Sequence, residues 1–443
     1  MPETLYILTD LDEYAWLEYL LGEFIRINRP DFKIQIRELH GSECHGETQA
    51  ITYSKKPGCG FLIPNRSDQL PDGHVEWLSD KLYICRGTTA LDWPGECDYD
   101  LFWNAFVFLS RFEEYTCELG GHSIGSYCMK HPRVDKRTFE VPVVNYLFDE
   151  LAAMIKEWFP ALRFRGRIQP VIEFSHDVDY IKKTPQLRIK QTVMNMANVI
   201  RSAGKARGGL RDVMDFLISS PSYWCFNEWV ALEKIYGIKS VFYVYAGAGK
   251  KNLKQWLLDP SYVLTSPLVR QLKTLHSNGF CIGLHGSYES AVNEETLVAE
   301  KARLEQAIGF KVTKIRQHWL RYRESITPDL HSRNFDSDST LGWNDKMGFR
   351  SGVASQYCPY NHRVGRGYEH MEIPQIIMDS TIFDYNATDI ESALEAAEGI
   401  LKTAMAVVAP HVSISWHQRT ASADYNWHIT YENLIKNCHC EYL

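Results

Sequence analysis

From about Gln169 onward the chain repeats one unit, a short apolar run followed by a longer amphipathic stretch, and this alternation limits the possible folds more than any other feature. Strand-type runs are expected at 170–175, 240–245, 281–285, 312–317, 373–378 and 412–416. Between and after them, helical spacing is expected at 186–202, 228–236, 267–277, 294–308, 390–405 and 431–437. Asn278-Gly279 and Gly309 are helix stops at the places the pattern requires. Repeated strand–helix units bury their strands on both faces, so they specify a parallel sheet or a (β/α) barrel.

Polar residues gather where these strands end. Ser175-His176-Asp177-Val178-Asp179, Leu284-His285-Gly286-Ser287, Arg316-Gln317-His318-Trp319 and Ser415-Trp416-His417-Gln418 each follow an apolar run directly. In a (β/α) barrel the C-terminal strand ends meet on one face, where active sites sit. A single histidine after a strand is ordinarily structural; four such endings carrying two aspartates and four histidines point to a site. Asp177 and Asp179 are two apart, so on an extended strand end they face the same way. Two carboxylates in one direction suit a site where one holds a cation and the other handles a proton, because the ion relieves their repulsion and acidifies water. His285 offers an imidazole ligand, and Asp/His sets with open positions suit zinc, cobalt or similar ions. The competing reading of Asp177 is a cap on the following helix.

These stretches resemble a known family. Phe174-Ser-His-Asp-Val-Asp179, Ile282-Gly-Leu-His-Gly-Ser287, Ile315-Arg-Gln-His-Trp319 and Ile414-Ser-Trp-His417 occur in the order found in the NodB-homology polysaccharide deacetylases, carbohydrate esterase family 4 and its relatives. Ser240-Val-Phe-Tyr-Val, the stretch from Phe335 to Gly342 and Gly348-Phe-Arg-Ser-Gly352 look similar as well. The resemblance spans about residues 168–443 and implies a distorted (β/α) barrel that hydrolyses an acetamide or acetate ester on a sugar with the help of a divalent metal ion, zinc foremost. It implies Asp177 as general base, Asp179 and His285 as metal ligands, His417 as general acid and Arg316 as the residue orienting the base. A backbone N–H near His318 or Trp319 would help to hold the oxyanion. The family's second motif carries two histidines four apart, whereas here His285 is followed by Glu289. The third ligand is then His318, Glu289 or His176. His318 is preferred because it follows a strand directly, while His176 should face away from Asp177.

Further candidates line the same loops. Asp336, Asp338 and Arg350 are expected to line the site or orient His417, with turn capping as the alternative for the aspartates. Trp319, Trp343, Trp416 and Tyr288 are candidate sugar platforms or else core residues. Trp319, Asp336, Arg350 and Trp416 make up the expected substrate contacts. The basic stretch 188–211 reads as a solvated helix and loop able to attract an anionic sugar, and 204–209 contains no complete phosphate-binding loop.

A chain of 443 residues exceeds one ordinary core, and residues 1–165 are expected to form a smaller α/β domain before a barrel over 166–443. That first part carries a strand near Leu5–Leu8, helices at 13–27, 103–115 and 143–159, and a Gly/Pro-rich middle at 41–95. It resembles the domain that precedes this barrel in some bacterial surface-polysaccharide proteins, through Phe108-Leu-Ser-Arg-Phe-Glu-Glu-Tyr115 and Val141-Pro-Val-Val-Asn145. It shows no catalytic constellation: His122, His131 and Cys44-His45 lack partners at ligand spacing, and so does Cys438-His439-Cys440 at the other end of the chain. With 48 basic and 55 acidic residues the formal charge is -7, which argues against coating nucleic acid or anionic lipid. The N-terminus lacks the basic and apolar regions of a signal peptide, no span of about 18 apolar residues occurs, and the 11 cysteines are scattered. A cytoplasmic location with reduced thiols is expected. The expected activity is removal of an acetyl or similar group from an amino sugar, nucleotide-sugar or glycan precursor of a surface polysaccharide. The alternatives are a silent carbohydrate-binding scaffold that kept the barrel, or a hydrolase of C–N bonds in a non-sugar compound.

Overall fold

The computed structural model describes residues 3–39, 49–55, 61–65, 67, 75–77, 83–85, 99–133, 136–201, 209–249, 251–385 and 390–441. Cys44-His45, the 204–208 loop and most of the 41–95 segment lie outside them. In the N-terminal half, strands β1 (Thr4–Thr9), β2 (Lys33–Glu38), β3 (Ala50–Ser54) and β4 (Phe61–Pro64) form a parallel sheet in the order β2-β1-β3-β4. A separate antiparallel pair joins β5 (Val75–Trp77) and β6 (Tyr83–Cys85). Helices Ala15–Asn28, Leu101–Leu109 and Val143–Trp158 add their apolar side chains to the same core.

In the rest of the chain β7 (Val171–Val178), β8 (Val241–Val244), β9 (Cys281–Gly286), β10 (Lys314–Gln317) and β11 (Ser337–Asp338) follow one another around a parallel sheet. A short antiparallel pair, β12 (Tyr360–Asn361) with β13 (Arg366–Gly367), precedes β14 (Met371–Glu372), β15 (Gln375–Met378) and β16 (His411–Ser415). The sheet order is β14-β11-β10-β9-β8-β7-β16-β15, every neighbouring pair parallel. Its two edges, β14 and β15, are separated only by Ile373-Pro374. The segment 371–378 thus pairs with β11 through its first part and with β16 through its second, which curls the sheet round on itself. Pro374 has no N–H to give a ladder and sits where the chain changes partner, with its carbonyl accepting from Ser413 N at 2.8 Å. This is the expected distorted (β/α) barrel, and the strand expected over 373–378 begins only at Gln375 for that reason.

The other elements shift by a few residues from their expected bounds. Helices Gly209–Ile218 and Leu253–Leu258 occur where none was expected, and at 103–115 a single helix was expected. Two occur, Leu101–Leu109 and Phe112–Leu119, because Arg111 takes a left-handed conformation with φ 51. Its guanidinium is buried against Glu324 and Tyr357 of the barrel half, which repays the local cost. The core of the N-terminal half is completed by Tyr322, Leu341, Val353, Tyr357 and Tyr360 from the barrel half. Polar ties follow the same line: Arg350 Nη2 donates to Glu114 Oε2 at 2.7 Å, and Ala354 N donates to Asn145 Oδ1 at 2.8 Å. No helix among the described residues is long and apolar enough to cross a membrane.

Candidate active site

The C-terminal ends of β7, β9, β10 and β16 bring Asp177, Asp179, His285, His318 and His417 to the floor of one open cleft. Asp177 and Asp179 lie on the same side of the β7 end, as their spacing requires. His176, between them, faces the other way, into the core, where its ring meets Trp416 O at 3.0 Å and Glu233 Oε1 at 2.9 Å. It is removed from the ligand candidates. So is Glu289, which pairs with Lys254 Nζ at 3.0 Å on the half-exposed rim.

Asp179 is the hub. Its Oδ1 lies 3.2 Å from His285 Nε2 and 3.6 Å from His318 Nε2, and its Oδ2 lies 3.3 Å from His417 Nε2 and 3.0 Å from Arg419 Nη1. Asp179, His285 and His318 each offer a donor atom within 4.8 Å of the others. The tautomer of His285 follows from its partner: Nδ1 meets Arg316 O at 3.0 Å, and a carbonyl only accepts, so Nδ1 carries the hydrogen. Nε2 is then a lone pair facing a carboxylate oxygen. Neither His285 Nε2 nor Asp179 Oδ1 has a hydrogen-bond partner among the described residues, and both are buried. Two acceptors aimed at each other need a cation or an extra proton between them. A two-imidazole, one-carboxylate set with an open side is of the kind that holds zinc or a similar ion. The residues present fit such an ion.

The surroundings fix the protonation states. Burial opposes the charge on Asp179, but the charged His417 beside it, 3.3 Å away, outweighs it and holds its carboxyl well below the usual range. Burial likewise opposes the charge on Asp177. Arg316, with the charged His417 behind it, brings its carboxyl below the ordinary value all the same. Arg316 lies within the barrel and donates through Nη1 to Asp177 Oδ1 and Ser175 Oγ, both at 2.8 Å. Its Nη2 reaches Ser339 Oγ at 2.7 Å, and Gln375 Oε1 and Ser413 Oγ at 2.8 Å. Ser175 on β7, Ser413 on β16 and Ser339 just past β11 thus make room for one guanidinium, which Asp177 and Gln375 help to saturate. Burial pulls His318 down to about 3, keeping its ring neutral. His417 goes the other way: burial opposes its charge, yet Asp379, and after it Asp179, push it up to about 10. Asp379 Oδ1 lies 2.6 Å from His417 Nδ1, and its Oδ2 accepts from the backbone N of the same residue at 2.8 Å.

Two local features keep this floor in register. Gly286 follows His285 where an added Cβ would lie 2.3 Å from Gln317 Oε1 and 2.8 Å from Ser290 Oγ. Trp319 and Leu320 both take positive φ, 62 and 48, directly after His318. Such conformations persist only when the surroundings over-determine them. Here Trp319 Nε1 donates to Leu258 O at 2.9 Å, Asn344 Nδ2 donates to Trp319 O at 2.9 Å, and Ser126 Oγ from the N-terminal half donates to Leu320 O.

Of the expected substrate contacts, Trp319 lines the cleft and three do not. Asp336 is exposed and precedes β11, at the opposite end of the barrel. Arg350 is buried against Glu114 and stacks on Trp343 at 4.6 Å, so it joins the two halves of the chain. Trp416 is fully buried, with Nε1 donating to Trp427 O at 3.1 Å. Trp343 is likewise core, while Tyr288 stands on the rim under Arg321. Sequence reasoning missed Asp379, Arg419 and Asp384, all at or behind the cleft, whereas Lys190 reaches it from the basic stretch expected to attract an anionic sugar. Asp379 directly follows a strand that was anticipated, and Arg419 lies two residues beyond His417, so the strand-end rule applied once more would have found both. Asp384 carries a carboxyl that burial pushes up to about 6.

No family profile matches the chain, and no curated protein matches it in sequence. Among solved structures, it is similar to a protein assigned as a polysaccharide deacetylase from Mycobacterium smegmatis, at 14% identity over 62% of this chain and 86% of that one, with a TM-score of 0.38. It is also similar to an allantoinase, at 12% identity over 61% and 84% of the two chains and a TM-score of 0.36. A third likeness is to a carbohydrate esterase family 4 pseudoenzyme from Bacillus anthracis, at 9% identity over 61% and 60% and a TM-score of 0.29.

Proposed function

We propose that the chain is a metal-dependent hydrolase that removes an acetyl or similar acyl group from an amino sugar or polysaccharide precursor in surface-polysaccharide synthesis. The observation that carries this reading is the opposition of unpartnered acceptors on Asp179 and His285, with His318 completing a three-donor set beside a separate base and acid. Asp179, His285 and His318 would hold the ion. When bound, such an ion polarises an acyl carbonyl and acidifies water. Asp177, ionised and fixed by Arg316, is the group able to take the proton from water. His417, charged and held by Asp379, is the group able to give a proton to the leaving amine or alkoxide. Separate base and acid of opposite protonation state at neutral pH are what hydrolysis of an amide or ester requires. Lys190 and Asp384 on the cleft wall and the Trp319 ring are positioned to choose among sugars. Residues 1–165 serve in this reading as an accessory domain whose Ser126 steadies the Trp319–Leu320 turn.

Purified protein supplied with zinc or cobalt should release acetate from a panel of acetylated amino sugars and nucleotide-sugars. Asp177→Asn should abolish that release while the protein stays folded. Absence of release from every member, with no difference between wild type and Asp177→Asn, would overturn the proposal.

A further inference from the structure

A second group of donors lies outside the cleft, on the outer side of the barrel wall. Asp338 and Glu372 are register partners at the ends of β11 and β14, so their side chains project to the same side of the sheet. Ser339, next in line, points inward to Arg316, which places Asp338 outward. There it meets His331 of helix Thr327–Asn334, at 2.6 Å through Nδ1. His370 stands just before β14. Asp338, His370 and Glu372 each present a donor atom within 4.8 Å of the other two, and all three are at most 1 % exposed.

Charge and hydrogen bonding are unbalanced at this spot. Asp338 accepts from Thr340 N at 2.9 Å and from the Thr340 hydroxyl. Glu372 Oε1 accepts from Leu341 N at 2.9 Å, but its Oε2 has no hydrogen-bond partner among the described residues. Both ring nitrogens of His370 are buried and lack a partner as well. The nearby Arg111 guanidinium is engaged by Glu324 and Tyr357. His331 is held on its other side, where its Nε2 meets the Gln317 amide nitrogen at 2.9 Å. Two buried carboxyls and an idle imidazole therefore converge, leaving a carboxyl oxygen and two ring nitrogens without hydrogen-bond partners among the described residues, an arrangement that is costly unless something fills it.

We propose that Asp338, His370 and Glu372 bind a second, structural divalent cation of the zinc type, separate from the cleft. One imidazole and two carboxylates are donors such an ion accepts, and the His331–Asp338 contact is the kind of outer partner that orients a carboxylate ligand. The ion would pin β11 to the segment 370–372 where the sheet changes edge, and behind them the shared core around Tyr322 and Tyr357. The competing occupant is a proton shared between the two carboxyls.

The full chain, loaded with zinc and freed of excess, is assayed for bound metal per chain and for thermal unfolding with and without a strong chelator. The double variant His285→Ala/His318→Ala disables the cleft and leaves this cluster native. It should keep one equivalent of zinc, and the chelator should lower its melting temperature. Adding His370→Ala, or Glu372→Gln if that protein does not fold, should remove the last equivalent. A folded double variant without metal overturns the proposal, whatever the wild type holds. If wild type holds one equivalent that survives in the double variant and vanishes with His370→Ala, this site stands and the metal reading of the cleft fails.

Discussion

His417 and Asp379 show how one contact sets a residue's chemistry. Burial alone favours a neutral imidazole, and the Asp379 carboxylate reverses that, pushing His417 up to about 10. A histidine raised above its ordinary 6.5 contributes stability that is fully present below about 6.5 and is lost as pH rises through about 10. Asp379→Asn should therefore move the alkaline limb of the pH–rate profile to lower pH and cost about 100-fold or more in kcat/KM. An unchanged alkaline limb would remove His417 from the acid role. Glu23 gives an independent test far from the cleft. Burial pushes its carboxyl up to about 7, against Arg26. Its folded state binds the extra proton between 4.5 and about 7, so stability falls as pH rises through that window and the penalty persists above it. Glu23→Gln should be nearly neutral at pH 4 and stabilising at pH 8, by up to about 3 kcal/mol, in denaturant melts. At this scale the placement of residues was legible near strand ends: Asp177, Asp179, His285, Arg316, His318 and His417 all lie within two residues of one. It was not legible for Arg350 and Trp416, whose partners Glu114 and Trp427 come from other elements.

The long periodic elements were readable because their burial is continuous; β11 was not, since two residues carry no period. Its neighbour β14 is as short, and only pairing across the barrel defines either. The same dependence on distant backbone governs Gly348, which has φ 131 and where an added Cβ would sit 1.9 Å from Phe139 O. Phe349 N donates to that carbonyl at 2.6 Å, so the contact joins the loop before β12 to the segment that leads into helix Val143–Trp158. Neither backbone can yield without breaking the bond. Gly348→Ala should destabilise the chain by about 3 kcal/mol, combining strain at positive φ with overpacking. A loss under about 1 kcal/mol in urea melts would mean that the two segments are not tied in this way.

At the scale of the whole chain, the boundary expected near 165 separates two sheets but not two independent cores. Tyr322, Leu341, Val353, Tyr357 and Tyr360 belong to the barrel half in sequence and to the N-terminal core in space. Arg111 with Glu324 and Arg350 with Glu114 are buried ion pairs across the same line, and removing one partner of a buried pair typically costs about 3–5 kcal/mol. Sequence periodicity assigns a residue to its own strand or helix, and it is silent about which neighbouring core a loop residue enters. For that reason the two runs of strands were legible and the shared core was not. If the core is shared, calorimetry of the full chain should give one cooperative transition. The fragment 166–443 alone should be insoluble, or should melt at least about 10 °C below the full chain, since several kcal/mol of lost burial shift melting by that much in a unit of this size. A soluble fragment that melts with the full chain, and still binds metal at Asp179, His285 and His318, would show that the first 165 residues are a passenger and that the Ser126 bond to Leu320 does not hold the floor of the cleft.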